Sequence, residues 1–158
     1  MKNRFIFLLF SFLILTASIA IAQTIPTLQA PHQHDPWTAE DLIEPSQLAA
    51  LMKDDKAAKP LIFNIGQVNA IKGARSTGPV KEAQNLEDFK KTLQSLSKET
   101  PIVFYCGCCP FGKCPNIRPA FKAVKELGFT NAHLLNLPTN IKVDWIEKGY
   151  PLEQEGAN

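Results

Sequence analysis

Two short, almost continuously apolar stretches constrain this chain more than any other feature: Leu-Ile-Phe-Asn-Ile at 61–65 and Ile-Val-Phe-Tyr at 102–105. A strand with one wet face alternates apolar and polar side chains, whereas a strand covered on both faces reads as a run. Pro60 and Pro101 open the two runs and Gly66 closes the first. Residues 132–137 read as a third strand. Between them lie stretches of helical spacing. Ser46 is placed to cap a helix carrying Leu48, Leu51 and Met52. Asn85 is placed to cap a second, with Asp88 at its third position and Leu86, Phe89, Leu93 and Leu96 on one face. Asn116 is placed to cap a third, with Pro119 in its first turn, Ala120, Phe121, Val124 and Leu127 as its apolar face, and Gly128 as its stop. Residues 143–148, around Trp145, predict a last short helix, and residues 66–80 an irregular connection. Strands alternating with helices predict an α/β domain around a mostly parallel central sheet.

The N-terminus carries a different signal. Lys2 and Arg4 precede an apolar run from 5 to 22 that ends Ala20-Ile21-Ala22, the pattern of a cleavable secretory signal peptide. An uncleaved membrane anchor is the alternative, and Ser11, Thr16 and Ser18 within the run argue against it. The chain is therefore expected to be periplasmic or secreted, with a signal peptide at 1–22. A flexible leader at 23–37 contains His32 and His34, a domain occupies 38–154, and a disordered tail follows at 155–158. Cleavage removes Lys2 and Arg4, so that 17 Lys+Arg become 15 against 15 Asp+Glu. A neutral mature chain offers no footprint for nucleic acid or for an anionic membrane.

Export gives the cysteines their interest. All four, Cys106, Cys108, Cys109 and Cys114, lie within nine residues. The stabilisation from a crosslink grows with the loop it closes, so thiols this close staple almost nothing and point to chemistry instead. Cys106 directly follows the 102–105 strand, with a helix about ten residues beyond. Unpaired amides and the helix dipole at such a place favour an anion, which lowers a thiol's pKa and populates the nucleophilic thiolate. Gly107 and Gly112 are expected to let the loop turn its amides inward, Lys113 to attract an anionic substrate, and Phe111 to contact a partner or substrate at the loop tip.

These pieces, in this order, resemble a rhodanese-like (sulfurtransferase) domain. Residues 61–65 are similar to the first core strand, Ile71-Lys72-Gly73-Ala74 to the turn after it, and residues 101–106 to the strand that delivers the active-site cysteine. Glu126-Leu127-Gly128-Phe129 resembles the family's helix ending, 132–137 its next strand, and Trp145 with Gly149-Tyr150-Pro151-Leu152 its closing tryptophan helix and tail. The resemblance implies a three-layer fold, a mostly parallel sheet flanked by helices. It also implies an activity: Cys106 accepts a sulfane sulfur as a persulfide and passes it from a small sulfur-containing donor to an acceptor thiol, on a small molecule or a partner protein, with no cofactor.

The sequence departs from the family around that cysteine. Asn64 and Gly66 stand where an acidic residue and an arginine are usual, Asn69-Ala70 replaces a Gly-His, and the loop after Cys106 is longer than the family's. A phosphatase-type grip needs an arginine six positions beyond the cysteine; Gly112, Cys114 and Pro115 lie there instead for Cys106, Cys108 and Cys109. The extra thiols admit three readings. Cys109 or Cys114 resolves an oxidised or persulfidated Cys106 by thiol–disulfide exchange. The four cysteines bind copper or zinc, for which their spacing is a poor match to zinc knuckles. Or they form a disulfide that shapes the loop of a noncatalytic binding module. Trp145, Phe121 and Phe129 read as core, and His133, Tyr105 and Asn136 as ordinary strand residues.

Overall fold

Apolar side chains on consecutive residues leave a strand no wet face, so the runs at 61–65 and 102–105 belong in the middle of a sheet. A computed structural model, which describes residues 34–68 and 70–153, places them there. Five strands, β1 (Leu42–Ile43), β2 (Leu61–Asn64), β3 (Arg75–Ser76), β4 (Ile102–Tyr105) and β5 (Ala132–Leu135), pair in the order β1-β5-β4-β2-β3, every pair parallel. The central strand β4 registers Ile102 on Leu61 and Tyr105 on Asn64 to one side, and Ile102 on Ala132 to the other. The expected signal peptide, the tail at 155–158 and the leader up to residue 33 lie outside the described residues. Among the described residues no helix is long and apolar enough to cross a membrane.

Strand parity sorts the core into two layers. Phe63, Ile65, Ile102, Phe104 and Cys106 face helices α2 (Ala83–Gln94) and α3 (Ile117–Glu126), meeting Phe89, Leu93, Ile117, Ala120, Phe121 and Val124. Ile62, Val103, Tyr105 and Leu135 face the other way, onto Leu48 and Ala49 of α1 (Pro45–Lys53) and onto Trp145. The expected three layers are present, each strand face excluding water from apolar surface.

Local details differ from the sequence reading for identifiable reasons. Helix α1 starts at Pro45, with Glu44 rather than Ser46 at its cap, because proline's fixed φ suits the first helical position and Gln47 Oε1 accepts the Glu44 N–H at 3.0 Å. Helix α2 is capped by Glu82, not Asn85. The Asn85 carboxamide instead donates back to the Pro79 carbonyl at 3.1 Å and fills the space beside Gly78, where an added Cβ would lie 2.9 Å from it. Strand β5 stops at Leu135, because the Leu137 carbonyl is taken by the Phe111 N–H at 3.0 Å. The last helix is one π-helical turn, Lys142–Ile146, with Trp145 fully buried and its indole N–H donating to the Pro151 carbonyl at 3.0 Å. That tail then pairs antiparallel with the Ile71 turn through Ile71 and Leu152.

Residues 34–37, which the sequence assigns to the leader, are tied down. Trp37 is 8% exposed, with its ring 5.6 Å from Phe111 and 5.8 Å from Phe121. Asp35 accepts from Arg118 at 2.6 Å, and that guanidinium lies over the Trp37 ring.

Candidate active site

Cys106 leaves the carboxyl end of the central strand with the parity of Ile102 and Phe104, so its sulfur points into the layer of α2 and α3. Carboxyl ends of parallel strands are where α/β sheets place reactive groups. The thiol is 1% exposed and lies beneath its loop. It is packed against Gly66, where an added Cβ would sit 2.6 Å from the Cys106 Sγ. Glycine at 66 is thus required by space, at a position that the sequence marks as a strand end and as a departure from the family pattern. The Gly66 N–H is turned onto Asn64 Oδ1 at 3.0 Å, which fixes the chain in that close approach.

The groups around the sulfur are mostly side chains. Asn116 Nδ2 donates to Cys106 Sγ at 3.4 Å and reaches Cys114 Sγ at 3.8 Å. Its orientation is set by the other end of the carboxamide, since Asn116 Oδ1 already accepts the Lys81 N–H at 2.9 Å. Asn116 occupies the predicted cap position of α3 but makes no side-chain cap bond; the carboxamide serves the sulfurs instead. Cys108 Sγ lies 3.5 Å from Cys106 Sγ, and Cys109 Sγ 3.3 Å from Cys108 Sγ.

Three of the loop amides expected to face the sulfur are engaged in the loop's own hydrogen bonds. Residues Phe111–Lys113 form a 3-10 turn in which the N–H groups of Phe111, Lys113 and Cys114 donate to the carbonyls of Leu137, Pro110 and Phe111. Those three are spent before they can face the sulfur, whereas the Cys108 backbone N–H is directed at it. Gly107 and Gly112 do not adopt positive φ. Gly107 is needed for space, because a Cβ there would fall 2.8 Å from Ile141, whose N–H it holds at 3.0 Å.

Donors outweigh burial at Cys106. Hydrogen bonding from the Cys114 thiol, aided by Asn116 and by the backbone and thiol of Cys108, brings its pKa down to about 5 against the opposing effect of burial. The partners move the other way. Cys114, as donor to that anion and itself buried, is pushed far up, and Cys108 is pushed up to about 12 by burial and by its thiol neighbours. The three shifts together favour the anion at Cys106, beside the N-terminus of α3, over an anion at Cys108 or Cys114.

The other predicted site residues are placed as follows. Cys114 touches Cys106, whereas Cys109 touches Cys108. Lys113 is exposed on the 3-10 turn. Phe111 is half-buried against Trp37. All four cysteines are free thiols. Three of them, Cys106, Cys108 and Cys114, bring their Sγ atoms within 4.8 Å of one another, the arrangement that a soft metal would require, and Cys109 stands outside that group. Sequence reasoning marks Asn64 and Gly66 only as departures from the family pattern and Asn116 only as a helix cap, and misses their contacts around the sulfur; a glycine immediately after a buried strand is the signal that marks close approach.

No family model and no curated protein matches the chain. Among solved structures it is similar to a variant of EanB that carries a cysteine persulfide in a tetrahedral intermediate state with ergothioneine, at a TM-score of 0.51 and 19% identity over 72% of this chain and 28% of that one. It is also similar to an EanB cysteine-to-serine variant in complex with hercynine, at a TM-score of 0.49 and 20% identity over 72% of this chain and 27% of that one. A third is the single-domain sulfurtransferase RDL2 of Saccharomyces cerevisiae, with a TM-score of 0.48 and 17% identity over 72% of this chain and 95% of that one. The chain thus spans little more than a quarter of the EanB chains. At these identities the likeness is one of architecture: this chain has a rhodanese-like α/β fold.

Proposed function

We propose that this chain is an exported sulfurtransferase that carries sulfane sulfur on Cys106. One observation carries the reading: a sulfur at the carboxyl end of the central strand is supplied with donors from Cys114, Asn116 and Cys108, which favour its anion. The Cys106 thiolate attacks the outer sulfur of a small donor, the donor's S–S bond breaks, and the donor leaves with that bond's electron pair. The product is a Cys106 persulfide anion, held by the donors that held the thiolate. Attack by an acceptor thiol on its outer sulfur passes the sulfur on and restores Cys106. The nucleophile needs no cofactor. Lys113, exposed beside the loop, adds the positive charge that draws an anionic donor. The persulfide on the EanB variant supports this chemistry by likeness of fold. Export follows from the signal-peptide pattern of residues 1–22.

Mass spectrometry of the reduced mature protein tests this. A sulfane-sulfur donor adds about 32 Da in the wild type or in a variant that retains the sulfur, and nothing in Cys106→Ser. Absence of the adduct from every form overturns the proposal. The spacing of three sulfurs favours a second reading, a binding module holding a soft metal such as copper(I) on Cys106, Cys108 and Cys114. One metal per chain that survives dialysis and blocks alkylation of Cys106 would put that reading first.

A further inference from the structure

The sulfur transfer proposed above uses Cys108 only as one donor to Cys106, and the inference that follows rests on that reading. Cys108 is exposed, yet its Sγ lies 3.5 Å from the buried Cys106 Sγ. The single residue between them is Gly107, whose missing side chain lets the strand end close against Ile141 and turn back on itself. We infer that Cys108 is the resolving thiol of a sulfane-sulfur reductase: its sulfur attacks Cys106 Sγ, expels the outer sulfur as hydrosulfide and leaves a Cys106–Cys108 disulfide.

The step balances within the loop. The S–S bond of the persulfide breaks and the new Cys106–Cys108 bond forms. The two cysteine sulfurs supply the two electrons that reduce sulfane sulfur to sulfide. The proton of the Cys108 thiol leaves on the hydrosulfide. A dithiol reductant, small or protein-borne, then attacks the exposed Cys108 sulfur and returns both thiols to the reduced state.

The other two thiols fit this role less well. Cys114 is 4% exposed, sits in the core layer and donates to Cys106, so a bond to it would remove the main donor and seal the disulfide from any reductant. Cys109 meets Cys108 rather than Cys106, and vicinal cysteines bridge only with strain. The sequence reading had named Cys109 and Cys114 as resolving candidates, and the geometry passes the role to Cys108.

The test loads the reduced mature protein with inorganic polysulfide in the absence of oxygen, removes the excess by desalting, and follows intact mass and a peptide map. The wild type is expected to lose about 2 Da and to yield a Cys106–Cys108 peptide. Cys108→Ser and Cys108→Ala each alter one donor to Cys106 and so slow its loading, but should stop at about +32 Da on Cys106, with a persulfide lifetime at least about tenfold longer than in the wild type. Cys109→Ser should behave as wild type. A wild-type persulfide as long-lived as that of Cys108→Ser, or a bridge from Cys106 to Cys114 or Cys109, overturns the inference and leaves sulfur transfer standing. If Cys106 acquires no sulfur in either Cys108 variant and forms no disulfide in the wild type, sulfur transfer itself fails and the inference falls with it.

Discussion

Tyr105 and Cys106 are neighbours in sequence and lie on opposite faces of the same sheet, both fully buried, both able to ionise. Burial raises the pKa of each, because a low-dielectric surrounding penalises an anion. At Tyr105 burial wins. The phenol oxygen accepts the N–H groups of Ala70 and Ile71 at 3.3 and 3.4 Å, and its pKa still rises. At Cys106 burial loses to the Cys114 thiol, the Asn116 carboxamide and Cys108, and the pKa falls to about 5. The tyrosine face ties β4 to the Ile71 turn, whereas the donors on the cysteine face favour an anion. What sets the two ionisable groups at one strand end apart is therefore the set of donors aimed at each.

Changes that break one side of this comparison should leave the other intact. The largest effect is expected from Gly66→Ala. Its Cβ would fall 2.6 Å from the sulfur, with Cys106 backbone and Cβ at 3.6 Å, so the thiol must move. A displacement near 1 Å at a reacting atom costs about 100-fold in rate, and overpacking costs about 1–3 kcal/mol of stability. Sulfur-loading rate and thermal melting read the two effects separately. Cys114→Ala comes next. It removes the leading donor, so the Cys106 pKa should climb from about 5 toward its ordinary range, and alkylation at pH 6 should slow by about tenfold or more. Asn116→Ala is expected to be milder: losing one hydrogen bond of about 1 kcal/mol shifts the thiol–thiolate equilibrium about fivefold, so alkylation should slow by about fivefold at about pH 4, below the midpoint, and by less than about twofold at pH 6. Tyr105→Phe sharpens the contrast from the other face. Losing the bonds to Ala70 and Ile71 should cost about 1–2 kcal/mol in denaturant unfolding and change Cys106 alkylation by less than about twofold.

The fold was legible where a physical pattern extended over several residues. The runs that became β2 and β4, the apolar face of α3, Gly128 as its stop and Trp145 as a core residue could all be read directly. The strands β1 and β3 have two residues each, too short to show any period. The helix starts at Ser46 and Asn85 were misread because both residue types cap well locally, while Pro45 and the Gly78–Pro79 turn decided the matter. Around the site, the clustering of four cysteines pointed to chemistry, and Cys106 was identifiable from its place after a strand. The ranking of the other three depended on the 3-10 turn Phe111–Lys113, which buries Cys114 beside Cys106 and leaves Cys108 exposed. Asn116 read as a cap because a cap and a thiol ligand look alike in sequence; only the Lys81 N–H, thirty-five residues away, reveals which way its amide turns.

The account stands or falls on whether the Cys106 sulfur is a thiolate near neutrality. The direct measurement is the rate at which iodoacetamide labels Cys106 in the reduced mature protein, mapped by mass spectrometry, as pH is raised from about 3.5 to about 9.5, a range spanning the shifted and ordinary values. A thiol with a lowered pKa is protonated and slow below it and labels at a constant rate above it. The predicted midpoint lies near the value of about 5 set by its donors. A midpoint in the ordinary cysteine range of about 8.5, or no labelling at any pH, would contradict the account.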